Sequence, residues 1–315
     1  MAMRFSLPAA LLATPALLIS LLPLRGAALT WGREHPARAR ATQEGAGRVE
    51  CSALSSRILS REVRFCALLP PAYDAHPGRR FPVLYWLHGL GQDEQALVNS
   101  GGWTLVEELR NHGEIGDFIL LTPDGGQSFY LNSRDGRNRY EDFFIREFVP
   151  AMERRFRIES GRGNRGISGV SMGGFGALHF GLKYPQMFGS VSAHSAALMA
   201  EPPAALTGGA RVSFLERVFG RPVDRAYWER NSVFTVAHQA PGNEPWKIYF
   251  DCGSEDDYAF DEGNTALDAL LTSRGVRHEF HLYPGRHGWS YFAKHLPASL
   301  EFHWKVFEAA RKDRK

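Results

Sequence analysis

Apolar and polar residues alternate along two consecutive stretches, "VECSALSSRIL" (49–59) and "EVRFCALLP" (62–70), which predicts an antiparallel β-hairpin. The pattern then changes. "FPVLYWLHG" (81–89) is a dense apolar strand ending in a glycine loop, and "WTLVEELRNHG" (103–113) has the 3.6-residue period of a helix stopped by Gly113. "DFILLTP" (117–123) reads as a buried strand and "YEDFFIREFVPAMERRF" (140–156) as an amphipathic helix. The same rhythm continues with strand "NRGISGV", helix "GGFGALHFGLKYP" and strand "FGSVSAHS". Residues 199–243 lose it, with short helical candidates ("SFLERVF", "RAYWER") between Pro/Gly-rich loops, as in an insertion over a site. Beyond them come strand "WKIYFDC", helix "NTALDALLTSRG", strand "HEFHLYP" and a last helix, "SLEFHWKVFEAARK" (299–312).

Strands alternating with helices imply an α/β fold with a mainly parallel central sheet, an N-terminal antiparallel hairpin and helices on both faces. The simplest parse is one domain over residues 48–313, carrying the insertion at 199–243. No internal repeat or low-complexity tract interrupts it.

The first 47 residues follow other rules. "MAMR" is a short positive start, residues 5–24 hold no charge, and Gly26 and Ala28 offer small residues for cleavage after Ala28. Residues 1–28 are therefore read as a signal peptide and 29–47 as a flexible lead-in, so the expected location is secreted or periplasmic. An uncleaved anchor is the alternative that the long apolar run allows, against which stand Pro8, Pro15 and Pro23.

Composition narrows the chemistry. Of 315 residues 44% are hydrophobic and 23% charged, and the net charge of +3 with no Lys/Arg block gives no nucleic-acid footprint. Cys51, Cys66 and Cys252 form no metal-ligand spacing, so no metal or other cofactor is expected. All three are read as ordinary buried thiols, although an exported chain could oxidise one pair.

One stretch carries chemistry. In "GVSMGGFGAL" (169–178), Gly169-Val170-Ser171-Met172-Gly173 is a G-x-S-x-G where a strand ends and a helix begins, the setting of a nucleophile elbow. Gly169 and Gly173 would let the turn close, and Gly174 and Gly176 would let the helix approach the sheet. A phosphate loop is excluded because no Gly-Lys-Ser/Thr follows, and no G-x-G-x-x-G fits these glycines. "GRGNRG" (161–166) does fit, but it precedes a strand and reads as a turn.

A serine hydroxyl needs a base, and in this kind of sheet the order is Ser, acid, His on successive strand ends. His287 stands in a glycine-flanked loop after the strand "HEFHLYP", and Asp251, Glu255, Asp256 and Asp257 cluster after the strand before it. Backbone N–H donors for an oxyanion are expected at Met172 and, after "LHG", at Leu90. Trp103, Phe129, Tyr130 and Trp289 are the candidate aromatic lining of a substrate pocket.

Together, "LYWLHGLG", "TPDGGQSFYLNS", "GISGVSMGGFGAL", "DCGSEDDY" and "GRHGWSYF" make residues 48–310 resemble the esterase D/feruloyl esterase branch of the α/β-hydrolase superfamily. That branch also holds tributyrin-type esterases, S-formylglutathione hydrolases and mycolyltransferases. The resemblance implies Ser171 as nucleophile, His287 as base, Asp256 as the acid and Leu90 and Met172 as oxyanion donors. It implies a serine carboxylesterase acting on short-chain acyl or feruloyl-type esters, small or polysaccharide-linked. The alternatives are a mycolyltransferase-type acyltransferase using a sugar or lipid acceptor, and a non-catalytic binding protein on a hydrolase scaffold.

Overall fold

A computed structural model describes residues 46–199, 210–241 and 244–313. The expected signal peptide, residues 29–45 of the lead-in and part of the insertion lie outside the described residues. The described elements belong to one compact unit, Gln43–Lys315.

Eight strands form one sheet among the described residues: β1 (Arg48–Ser56), β2 (Arg61–Leu69), β3 (Val83–Leu87), β4 (Ile119–Pro123), β5 (Arg165–Gly169), β6 (Ser190–His194), β7 (Ile248–Gly253) and β8 (Glu279–Tyr283). Their order is β1-β2-β4-β3-β5-β6-β7-β8. β1 and β2 pair antiparallel, β2 joins β4 antiparallel, and every pairing from β4 to β8 is parallel. This is the sheet that the alternation of strand and helix patterns predicts.

The parallel strands β3 to β7 are buried on both sides, so their side chains feed two apolar layers. Along β3, Val83, Tyr85 and Leu87 enter one layer and Leu84 and Trp86 the other, as a period of two requires. The first layer lies under the helical segment 140–155 and helix Met172–Lys183, where the rings of Phe144 and Phe180 stack at 4.8 Å. The second lies under helices Gly102–Asn111 and Trp289–Lys312. Burying each such large side chain contributes about 1.5–3 kcal/mol, which fixes the helices against the sheet and so fixes the loops at the strand ends.

Two expectations need correction. The last helix runs Trp289–Lys312, ten residues longer at its start than the pattern suggests, with Pro297 inside it. Tyr291, Phe292 and Leu296 bury the same face that Leu300 and Phe307 continue, and that packing outweighs the backbone hydrogen bond the proline removes. Cys51 and Cys66 are not thiols. They stand directly opposite in the β1/β2 register and form a disulfide, while Cys252 stays a buried thiol.

Candidate active site

Ser171 stands between β5 and helix Met172–Lys183 with φ 55° and ψ −119°, a conformation that costs a non-glycine residue about 1–3 kcal/mol. The surroundings hold it there. Its N–H donates to the His194 carbonyl at 2.9 Å, and its carbonyl accepts from Phe175 and Ala197, each at 3.0 Å. The turn closes only because residue 173 is glycine: a Cβ there would stand 2.0 Å from the Leu87 carbonyl oxygen. Met172 opens the helix, so its N–H has no carbonyl one turn earlier to bond.

One of the four acids, Asp251, lies inside β7 rather than at its end, the other three follow the strand, and the structure separates them. Asp256 Oδ2 is 2.8 Å from His287 Nδ1, and Asp256 Oδ1 accepts the Tyr258 N–H at 3.0 Å. Asp257 instead pairs with the Arg286 guanidinium and accepts the backbone N–H of His287 at 3.2 Å. Asp251 is buried elsewhere: its carboxylate meets His194 Nδ1 at 2.8 Å and the Tyr291 hydroxyl at 2.9 Å. Glu255 is exposed.

Burial opposes ionisation of Asp256, but the hydrogen bonds from His287 and the Tyr258 N–H outweigh it and hold the carboxyl below the usual range. An ionised Asp256 accepts from Nδ1–H and leaves Nε2 of the neutral imidazole with the lone pair. Edges and faces of Tyr258, Phe260 and Phe292, at 4.8 to 5.5 Å between ring centroids, enclose the His287 ring.

The loop after β3 shows a role for a residue that the sequence did not single out. His88 is buried, its Nε2 accepts the Gly125 N–H at 2.8 Å, and its Nδ1 therefore donates to the Gly89 carbonyl, also at 2.8 Å. In a planar trans peptide the C=O and N–H point in opposite directions. The ring thus fixes the direction of the Leu90 N–H by holding the other end of the same peptide group. The histidine's place beside a loop glycine was the available signal, though its side-chain contacts were not.

Ser171 and His287 line one cavity of about 560 Å³ with Leu90, Met172, Met199, Phe214 and Trp289. Of the four aromatic candidates, Phe129 and Trp289 line it. Trp103 does not: it sits on helix Gly102–Asn111 against the opposite core layer, under the Arg110 guanidinium. Tyr130 does not either. Its ring is fully buried against Gly176, where a Cβ would come within 2.7 Å, and its hydroxyl donates to the His88 carbonyl at 2.9 Å. Gly176 thus makes room for Tyr130 rather than for the sheet. Phe214 and Met199 were missed because the irregular stretch 199–243 carries no period from which to read a facing direction.

A mainly parallel sheet with a serine on a strained strand-to-helix turn, and an acid–histidine pair on the loops after two later strands, is the architecture of an α/β-hydrolase. Within that superfamily the chain belongs to the "Putative esterase" family, whose sequence profile matches residues 56–303. An esterase of Mycobacterium tuberculosis is 32% identical over 249 residues, which are 70% of this chain and 51% of that protein. The chain thus spans about half the length of that relative. An acetyl esterase of Caldicellulosiruptor saccharolyticus is 28% identical over 267 residues, covering 80% of this chain and 96% of the relative. Among solved structures, a ferulic acid esterase superposes with a TM-score of 0.72 at 26% identity, over 83% of this chain and 99% of the other. A ferulic acid esterase from Anaeromyces mucronatus, in complex with ferulic acid, shares the fold with a TM-score of 0.62 at 21% identity, over 88% and 97%.

Proposed function

We propose that this protein is a serine carboxylesterase. The observation that carries the reading is the convergence of Ser171, on its strained turn, and His287, bonded to the buried Asp256, on one apolar cavity. In this mechanism His287 Nε2 takes the Ser171 hydroxyl proton as Oγ bonds to the ester carbonyl carbon. The resulting oxyanion is met by the N–H groups of Leu90 and Met172, each contributing about 3 kcal/mol. Asp256 stabilises the imidazolium, which passes its proton to the leaving alcohol oxygen as the C–O bond breaks. Water, deprotonated by His287, then attacks the acyl-enzyme and releases the acid and Ser171.

The cavity suits an uncharged acyl group, because no Asp, Glu, Lys or Arg is among the described residues that line it. Relatives named as acetyl esterase and ferulic acid esterase bracket the short-chain and aromatic acyl groups we propose. We also propose export. The charge-free run after Arg4 supports it, and so does the Cys51–Cys66 disulfide, a bond that persists in oxidising compartments.

Hydrolysis of p-nitrophenyl acetate by wild-type protein and Ser171→Ala tests the reaction. The variant should fold and lose hydrolysis, whereas undiminished activity would remove Ser171 from the mechanism.

A further inference from the structure

The cavity over Ser171 meets an aromatic wall, and beside that wall lies a second, much smaller void of about 10 Å³. Both spaces are lined by Phe129, Ala197 and Met199, so these residues stand between them. Beyond the wall the void is bounded by Phe175, Phe219, Trp228 and Val233, all apolar, with Asn231 and Ser232 among its other neighbours.

Phe129 is the bulk of this wall. Its ring stacks flat on Phe214 at 5.9 Å and meets Phe175 edge-on at 5.6 Å. It is placed there by force: Phe129 and Tyr130 both have positive φ, 51° and 58°. The turn is held by Ser128, whose Oγ bonds the Gly125 carbonyl and the Tyr130 N–H, and by the anchored ring of Tyr130 beneath. Neither residue can relax to an ordinary backbone conformation without breaking these contacts, and the Phe129 ring itself is packed between Phe175, Phe214 and Phe219.

The chemistry says which part of a substrate meets it. A carbonyl carbon bonded to Ser171 Oγ has three other substituents. Its oxygen must face the Leu90 and Met172 N–H groups, and its leaving oxygen must face His287 to be protonated. The acyl group takes the remaining direction, which we assign to the side of the cavity walled by Phe129, Met199 and Phe214.

Resting on the esterase reading, we propose that Phe129 is the specificity-determining end wall of the acyl arm, limiting how far an uncharged acyl group extends from Ser171. A chain that extends along this arm gains further buried apolar surface where the Phe129 ring now stands, next to the small void beyond. Each methylene that gains burial is worth about fourfold in kcat/KM.

The test compares p-nitrophenyl acetate, butyrate and octanoate on wild type, Phe129→Ala and Phe129→Leu. The readout is the ratio of kcat/KM for octanoate over butyrate, in which the fraction of folded enzyme cancels. The ratio should be below one in wild type and rise more than fivefold in Phe129→Ala, with Phe129→Leu between. Phe129→Leu keeps an apolar side chain in the turn and carries the comparison if the alanine variant does not fold. A smaller rise in the variants, with acetate hydrolysis intact, overturns the end wall and leaves the esterase standing. Absence of hydrolysis of any ester by wild type overturns the esterase reading itself.

Discussion

Asp256 and Asp257 are adjacent, equally acidic by type, and separated in role by less than one turn of chain. Asp256 has its side chain fully out of solvent and on the His287 ring, while Asp257 is partly exposed and occupied by Arg286. Asp256→Asn should therefore lower kcat by about 10³–10⁴-fold, because an amide can stabilise neither the Nδ1–H tautomer nor the imidazolium. Asp257→Asn should lower it by less than tenfold, since it weakens only a surface pair and one loop hydrogen bond. Steady-state kinetics on p-nitrophenyl butyrate reads both, and a larger loss for Asp257→Asn would reverse the assignment. The sequence placed four acids at this strand end and could not choose among them from spacing; the choice depends on which carboxylate turns inward. Phe129 and Tyr130 show the same limit. Two successive positive φ values break the alternation that normally tells facing directions apart, so the ring that lines the cavity and the ring that props it up look alike in one dimension.

At the scale of elements, the strand-to-helix junction around Ser171 and the glycine-flanked loop of His287 were legible because glycine spacing and strand ends leave a local trace. Pairings between elements left less. The β1/β2 turn, Arg57-Ile58-Leu59-Ser60, contains no glycine, proline or asparagine, and Ser60 itself takes the positive φ. With no turn signal the register was not readable, and with it the disulfide. That bond closes a sequence separation of 15 and ties β1, at the edge of the described sheet, to β2. The double variant Cys51→Ser/Cys66→Ser should lose about 2–4 kcal/mol of stability, visible as a lower midpoint in denaturant, with kcat/KM unchanged. Loss of activity without loss of stability would tie the hairpin to the site. Trp103 and the start of the helix Trp289–Lys312 were misplaced for a related reason: helix rotation and a tolerated Pro297 are settled by what packs beneath them.

For the molecule as a whole, buried and half-buried carboxylates set its response to acid. Burial opposes ionisation of Glu141, yet the nearby His179 ring, the Lys183 ammonium and the Tyr184 hydroxyl hold its carboxyl down to about 2. Asp256 is lowered as well. Each group binds its proton more weakly folded than unfolded. Their stabilisation is therefore complete above the ordinary carboxyl range of roughly pH 4, and it drains away as pH falls toward 2. Thermal midpoints measured from pH 7 to pH 2.5 should fall below about pH 4.5, and Glu141→Gln should flatten part of that fall. A midpoint indifferent to acid in wild type would mean these carboxylates are not held as described. The outcome also bears on function, because Glu141 anchors the helix that begins one residue after Ser171.

The central claim is that Ser171 is an activated nucleophile in an esterase site. Treating the folded protein with a fluorophosphonate and mapping the adduct by tandem mass spectrometry tests it most directly. The account predicts one adduct per chain, on Ser171, absent from Ser171→Ala and slowed by Asp256→Asn. No labelling of the wild type, or an adduct on a different serine that survives Ser171→Ala, would contradict it.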